Sequence, residues 1–165
     1  MKNYQLNTNS VALEFYKNEF DSPLQDYHLS GEQLNFTAHP LEALIKCQGE
    51  PKRHPIVILY NNVPAGFFVL HLGDGAKEYS ENKKAILLRA YSISTPFQGE
   101  GIAKRSLILL PTFVNEHFPE INEIVLAVNL KNTIAQKLYF TCGFVDTCKR
   151  VIGRAGEQYI LQMKL

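Results

Sequence analysis

The feature that most constrains the fold is a glycine-containing turn, Thr95 to Gly101, between an apolar segment and a helical pattern. The apolar segment, Ala85 to Ile93, is rich in strand-forming residues, and the helical pattern runs from Ile102 to Phe118. A strand, a tight turn and a helix start together present unpaired backbone N–H groups at the positive end of the helix dipole. The segment therefore predicts an anion-binding site of the kind that holds phosphate.

Two glycines in this turn, Gly99 and Gly101, allow the main chain to turn sharply and to approach an anion without an intervening Cβ atom. The spacing is not the dinucleotide-binding fingerprint, because Lys104 stands where the third glycine would be. It is not a P-loop either, since that motif ends in Gly-Lys-Ser/Thr. Taken alone, the turn is also compatible with a helix that simply begins after glycines.

Two motifs resolve this ambiguity by resemblance to a known family. Gln98-x-x-Gly101-x-Ala103 resembles the first signature, Q/R-x-x-G-x-G/A, of the GNAT superfamily of N-acetyltransferases. The segment Asn132-x-x-Ala135-x-x-Leu138-Tyr139-x-x-x-Gly143-Phe144 resembles its second signature at every position. The resemblance is clearest from about Ile56 to the C-terminus. It implies an α/β (α+β) fold with a mixed central sheet of about six to seven strands, about four flanking helices, and a V-shaped splay between the two parallel central strands.

Composition limits the classes of partner. The 165 residues fit a single domain, 1–165, and a net charge of +1 gives no reason to expect a nucleic-acid or membrane partner. The N-terminal residues Met1 to Leu6 lack the apolar core of a signal peptide. Cys47, Cys142 and Cys148 form neither a metal-binding pattern nor an even disulfide set, which suits the cytoplasm. We expect no metal, and a monomer or a homodimer.

The N-terminal third is the least informative part of the chain. We predict a short strand over 3–7, a helix over 11–20 that ends at Asp21-Ser22-Pro23, and a helix over 41–47. The pattern from 24 to 39 is irregular. The two helices, joined by a variable loop, resemble the N-terminal helix pair of the family, which walls the acceptor site.

The rest of the chain is predicted to contain strands and helices in alternation, with Asn61-Asn62 forming a hairpin turn. We expect the helix over 102–118 to be buried on nearly all sides and kinked at Pro111. The predicted strands are 56–60, 65–72, 85–93, 124–128, 144–152 and 158–165, and the second long helix covers 132–141 with Gly143 after its end.

The resemblance implies that acetyl-CoA is bound by the first signature and by the strand before it. Main-chain groups from 98 to 103 would hold the pyrophosphate, and main-chain groups near 92–94 would pair with the pantetheine arm and offer one N–H to the thioester oxygen. Asn132 caps its helix and also reaches the arm. Lys104 either adds charge to the site or lies on a solvated helix face. The cofactor-binding set is Ser92, Ile93, Ser94, Gln98, Gly99, Glu100, Gly101, Ile102, Ala103, Lys104, Asn132, Ala135 and Tyr139.

Tyr139 is the predicted catalytic residue. In the family this phenol gives its proton to the departing thiolate, and its ordinary pKa keeps it protonated near neutral pH. A tyrosine in the middle of a helix is otherwise more often a core residue.

The general base is not evident. Some family members carry a glutamate on the central strand, but Leu87 occupies that place here. Arg89 and Tyr91 alternate along the strand and could share its acceptor face. His71 on the preceding strand is a candidate base, although a lone histidine is more often structural. A water relay, or an amine that arrives already neutral, is equally open.

Two functions follow. The first is an acetyl-CoA-dependent N-acetyltransferase in which the primary amine of a small molecule, peptide or protein attacks the thioester directly, because no cysteine is placed as an acyl carrier. The second is a non-catalytic acyl-CoA-binding module. The absence of a carboxylate from the central strand favours the second, and the intact Tyr139 favours the first.

Overall fold

The structure, a computed structural model, describes residues 9–165, which form one seven-stranded mixed sheet in the order β1-β2-β3-β4-β5-β7-β6. Among the strand pairs of the described residues, only β4–β5 is parallel. The strand predicted over 3–7 lies outside the described residues. The strands are β1 Val11–Phe15, β2 Arg53–Tyr60, β3 Val63–His71, β4 Ala85–Ile93, β5 Glu123–Asn129, β6 Val145–Gly153 and β7 Gly156–Lys164.

Helices cover both faces of this sheet. They are α1 Asp21–Gln25, α2 Gly31–Leu34, α3 Pro40–Cys47, α4 Asp74–Lys77, α5 Ile102–His117 and α6 Thr133–Thr141. Side chains that alternate along β2 and β3 divide the interior: Ile56 and Phe68 pack in the core with α5, whereas Val57 and Val69 pack with α1 and α3. We call these the α5 face and the α3 face. Across residues 9–165, no helix is long and apolar enough to cross a membrane.

The predicted helix over 11–20 is wrong. Residues 11–15 form β1, which pairs antiparallel with β2 from Val11 opposite Tyr60 to Phe15 opposite Ile56. The apolar residues Val11, Leu13 and Phe15 alternate with Ala12 and Glu14, which is the period of a strand. Asp21 also begins α1 instead of ending a helix.

Two further expectations need correction. The α5 helix is not buried on all sides, because Ile108 and Leu109 are 58% and 38% exposed while Leu107 and Leu110 are buried. Pro111 lies within α5, and the kink expected there stays a prediction. The irregular segment over 24–39 contains part of α1 and all of α2.

The central strands separate after a short shared ladder, so the predicted splay is confirmed. The register of β4 and β5 runs from Ala85 opposite Glu123 to Leu87 opposite Val125 and stops there. Beyond that point β4 pairs only with β3, and β5 pairs only with β7. The facing edges of both strands have no main-chain partner strand within residues 9–165, which opens a gap in the middle of the sheet.

Candidate active site

A cleft of about 600 Å³ occupies this gap and is lined from both faces of the sheet. From the α5 face, Ala103 and Tyr139 line it, and from the α3 face, Gln33 and Thr37 line it. Of the predicted site residues, ten line the cleft: Arg89, Tyr91, Ser92, Ile93, Gln98, Gly99, Ala103, Asn132, Ala135 and Tyr139. Six predicted site residues do not line the cleft: His71, Ser94, Glu100, Gly101, Ile102 and Lys104.

The turn before α5 has the conformation that its glycines predict. Gly99 and Gly101 have φ of +84° and +73°, and Gly101 is the N-cap of α5. The first helical bond runs from Arg105 N to Gly101 O, so the N–H groups of residues 102–104 have no acceptor within the helix. A Cβ atom on Gly99 would meet no protein atom within 4 Å. Free N–H groups beside open space fit a pyrophosphate.

Arg105 stabilises this turn from outside the cleft. Its Nη2 donates to Glu100 O at 2.8 Å, its Nε donates to Gly101 O at 3.3 Å, and its Nη1 donates to Asn9 O. Its guanidinium also lies over the Tyr60 ring. Arg105 therefore fixes the main chain that presents the N–H groups, while the exposed Lys104 lies beside it on the helix surface.

The free edge of β4 faces the cleft near Ile93. Ser94 N donates to Ala65 O on the β3 side at 2.8 Å, and successive residues of an antiparallel strand bond alternately to opposite sides. The main chain of Ile93 therefore points toward the gap. Its carbonyl accepts a hydrogen bond from Gln98 Nε2 at 2.9 Å, and its N–H faces the same side. Gln98 thus links the first signature to this edge.

Two serine side chains, one in β4 and one just after it, join this strand to the segment after α1. Ser92 Oγ lies 2.7 Å from the buried Tyr27 hydroxyl, and Ser94 Oγ accepts from His28 N at 3.0 Å. Thr95 adds two further bonds, since its N and Oγ1 both donate to His28 O. These contacts hold the wall that precedes α2 against the cleft.

Tyr139 lies where the cleft meets the α5 face. Its side chain is only 8% exposed, and its hydroxyl makes no hydrogen bond to any of the residues that the structure describes. Burial raises the pKa of Tyr139 above its ordinary value. The site therefore holds a protonated phenol with a free O–H on the cleft wall.

The second signature positions α6 beside this phenol. Asn132 Oδ1 accepts from Ala135 N at 3.3 Å, so the predicted N-cap is confirmed, and its Nδ2 has no hydrogen-bond partner within residues 9–165. Asn129, at the end of β5, instead orders the neighbouring loops, because its Nδ2 donates to Ala155 O and its Oδ1 accepts from Lys131 N.

A β-bulge overturns the expectation that Arg89 and Tyr91 share a face. Val69 pairs with Arg89 and Phe67 pairs with Ser92, so two residues of β4 lie opposite Phe68. The bulge is at Ala90, whose φ is +54°. The Tyr91 phenol consequently lies on the α5 face, 2.6 Å from Ser106 Oγ and bonded to Ala103 O. Arg89 lies on the α3 face, within 3.3 Å of His71.

His71 is not on the cleft. Its Nδ1 accepts a hydrogen bond from Arg89 Nη1, and its pKa is lowered first by burial and then by the charges of Arg53 and Arg89. A ring nitrogen that accepts from an arginine holds that arginine in place, and this contact directs the His71 ring toward Arg89.

Sequence analysis did not identify the wall of the cleft that α2 and the residues just after it form. Glu32, Gln33, Phe36 and Thr37 line the cleft, and Glu32 is the one carboxylate among its described lining residues. The available signal was the capping box of α2, in which Ser30 Oγ accepts from Gln33 N while Gln33 Oε1 accepts from Ser30 N.

Comparisons with known proteins agree with this architecture. An aminoglycoside acetyltransferase AAC(6')-Ib, solved with coenzyme A and kanamycin, superposes with a TM-score of 0.75 at 17% identity and covers 94% of this chain and 95% of its own. The ribosomal-protein-S5-alanine acetyltransferase of Vibrio fischeri gives 0.68 at 14% identity over 93% and 92%. At these identities the two matches show the fold.

Sequence similarity carries the assignment further. The chain is 42% identical over 155 residues to the uncharacterized N-acetyltransferase YbbJ of Bacillus subtilis (strain 168), covering 93% of this chain and 97% of the relative. The model of the acetyltransferase (GNAT) family matches residues 13–144. The chain therefore belongs to the GNAT acetyltransferase family.

Proposed function

We propose that this protein transfers the acetyl group of acetyl-CoA to a primary amine of a small molecule, peptide or protein, by direct attack of the amine on the thioester. The observation that carries this proposal is the cleft through the sheet, which has free N–H groups and a free phenol on the α5 face and a separate wall on the α3 face. Two substrates can therefore approach the same gap from opposite sides.

Main-chain groups account for the binding of acetyl-CoA, which supplies an activated acyl group as a thioester. The N–H groups after Gly99 bind the pyrophosphate, and the free edge of β4 provides an N–H at Ile93 for the thioester oxygen. The Asn132 amide offers a further donor on the opposite wall. Lys104 contributes charge at the entrance only.

Tyr139 protonates the leaving thiolate in this mechanism. The amine nitrogen forms a bond to the carbonyl carbon, the carbon–sulfur bond breaks, and the phenol donates its proton to sulfur. Burial raises the pKa of Tyr139, and the same apolar surroundings raise the pKa of a thiol formed beside it, so the two groups remain matched.

The amine must lose a proton before or during attack. Leu87 is buried where some family members carry a glutamate, and β4 has no carboxylate. Glu32 on α2 is exposed at the cleft wall and can attract the ammonium form of the acceptor. Water in the cleft then takes the proton from the ammonium form, or the amine arrives already neutral. The proton that nitrogen loses on attack returns to the Tyr139 phenolate.

The physical setting of the reaction is also proposed. The described residues contain no group of His, Cys, Asp and Glu side chains close enough to hold a metal ion. The small net charge and three free cysteines are consistent with a single domain over 1–165 that works in the cytoplasm as a monomer or homodimer, without a nucleic-acid or membrane partner.

The test is incubation with acetyl-CoA and a panel of primary amines, with release of free thiol as the measurement. Turnover with at least one amine, at a rate well above hydrolysis without amine, is the expected result. Tight acetyl-CoA binding without turnover across small amines, polyamines and peptides would instead indicate the binding module, which the free Tyr139 hydroxyl does not favour.

A further inference from the structure

Two arginines and a histidine lie together on the α3 face. Arg53 on β2 is paired in register with His71 on β3, and Arg89 on β4 contacts the same histidine through Nη1 and Nδ1. All three side chains are partly buried. Two guanidinium groups are therefore held close to each other beside the acceptor side of the cleft.

Neither arginine has a carboxylate partner within the described residues. The ion pairs found there involve Lys17, Lys77 and Arg150, and none includes Arg53 or Arg89. Arg53 Nε is enclosed and makes no hydrogen bond to the described residues. Burial lowers the pKa of Arg89, and the charge of Arg53 lowers it further. Removing a cation from water without a counter-ion costs free energy, which an anionic ligand would offset.

Arg89 itself lines the cleft, whereas Arg53 lies behind it and lines a separate cavity. The pairing of Arg89 with Val69 places Arg89 on this face, and its contact with His71 fixes the direction of the guanidinium. Glu32 also lines the cleft, and its carboxylate suits an ammonium group. A ligand with an amine at one end and an anion at the other matches this arrangement of charges.

We propose that Arg89 binds the anionic group, carboxylate or phosphate, of the amine acceptor, with His71 and Arg53 acting as positioning residues behind it. This inference rests on the proposed acetyl transfer and names the class of acceptor. Arg89 forms charge-assisted hydrogen bonds with the anion, and Arg53 increases the positive potential that the anion meets.

Matched acceptors test the proposal directly. Phosphoethanolamine is compared with ethanolamine, and β-alanine with propylamine, because the members of each pair differ at the anionic group. We expect kcat/KM to favour the anionic member by about ten- to a hundredfold, the range of charge-assisted hydrogen bonds. The pair with the larger ratio distinguishes phosphate from carboxylate recognition.

Variants then assign the preference to residues. Arg89→Met should remove most of the ratio while leaving acetyl-CoA affinity unchanged, and Arg53→Met should reduce it by a smaller factor. Arg53→Lys should restore the ratio because it keeps the charge. Lys77→Met removes an exposed cation on α4 and is the matched control, which should keep the wild-type ratio.

Calorimetric titration with both members of each pair, in the presence of coenzyme A, supplies a measurement that does not need turnover. Equal binding of the anionic and neutral members, or a preference that survives Arg89→Met, would overturn the proposal. Turnover of amines without a preference for the anionic acceptors would contradict this inference but support the proposed acetyl transfer. An anionic preference in binding without any turnover would remove acetyl transfer and leave the anion site standing.

Discussion

At the scale of single residues, Tyr139 combines burial with a hydroxyl that is free to act. Its ring packs against Tyr91 and Phe144, while its O–H faces the cleft. Tyr139→Phe removes only that hydroxyl, so we expect the fold and the acetyl-CoA affinity to be retained. Single-turnover acetyl transfer should slow by about 10²- to 10⁴-fold, the range for loss of a general acid. Titration with acetyl-CoA is the accompanying measurement.

The pH profile and a neighbouring tyrosine control this prediction. Because burial raises the pKa of Tyr139, the wild-type rate should show no fall from its ionisation below about pH 10. Tyr91→Phe removes a phenol whose bonds go to Ala103 and Ser106, so it should lower stability by about 1 kcal/mol and slow transfer by less than about tenfold. Equal rates for wild type and Tyr139→Phe would show that Tyr139 is a core residue without a role in the chemical step.

His71 makes stability depend on pH at this same scale. Its pKa is lowered by burial and by Arg53 and Arg89, against the weaker opposing charges of Glu50 and Asp74. The unfolded chain therefore binds the proton more readily, and stability should decrease as pH falls from about 6.5 through the lowered folded pKa. Chemical denaturation between about pH 8 and pH 5 measures this slope, which should be shallower in His71→Asn. An identical slope in the variant would show that other groups, such as His54, cause it.

At the scale of elements, the start of α5 permits a matched test of phosphate binding. Gly99 and Gly49 both have a positive φ, and at both a Cβ atom would meet nothing within 4 Å. Valine at either position should therefore lower stability by about 1–2 kcal/mol through backbone strain. Only Gly99→Val places a side chain in the cleft, so calorimetry should show acetyl-CoA affinity reduced by at least about tenfold in that variant alone. Unchanged affinity in the folded Gly99→Val variant would exclude the phosphate site.

The elements also show what the sequence could predict. The β4–turn–α5 unit and the N-cap at Asn132 follow from local patterns, and the structure contains both. Residues 11–20 fit two patterns, the spacing of a helix and the alternation of a strand. The alternation of Val11, Leu13 and Phe15 is the one that the structure adopts, because these residues pair with β2. The capping box at Ser30 could likewise be predicted from the sequence. The bulge at Ala90 could not, because alanine has no preference for positive φ and only pairing with β3 imposes this conformation.

At the scale of the whole molecule, the two-sided cleft predicts direct transfer. Cys47, Cys142 and Cys148 are all absent from the described cleft lining, and burial raises the pKa of Cys47 and Cys142, which disfavours their thiolates. Initial rates at varied concentrations of both substrates should give intersecting reciprocal plots. A variant with all three cysteines replaced by serine should keep its turnover. Parallel plots, or an acetylated cysteine in the mass spectrum of the free enzyme, would contradict this prediction.

The splay between β4 and β5 also has a consequence for how the molecule moves. Three residue pairs connect the β1–β4 half of the sheet to the β5–β7 half, and the edge of β4 beyond Leu87 has no strand beside it. Main-chain amides on that edge should exchange their hydrogens for deuterium much faster than those of β2 or β3. Acetyl-CoA, lying where a strand is missing, should slow the exchange over 88–93. Acetyl-CoA would then occupy the place of a strand in the sheet, and the enzyme would be more rigid with acetyl-CoA bound than without it.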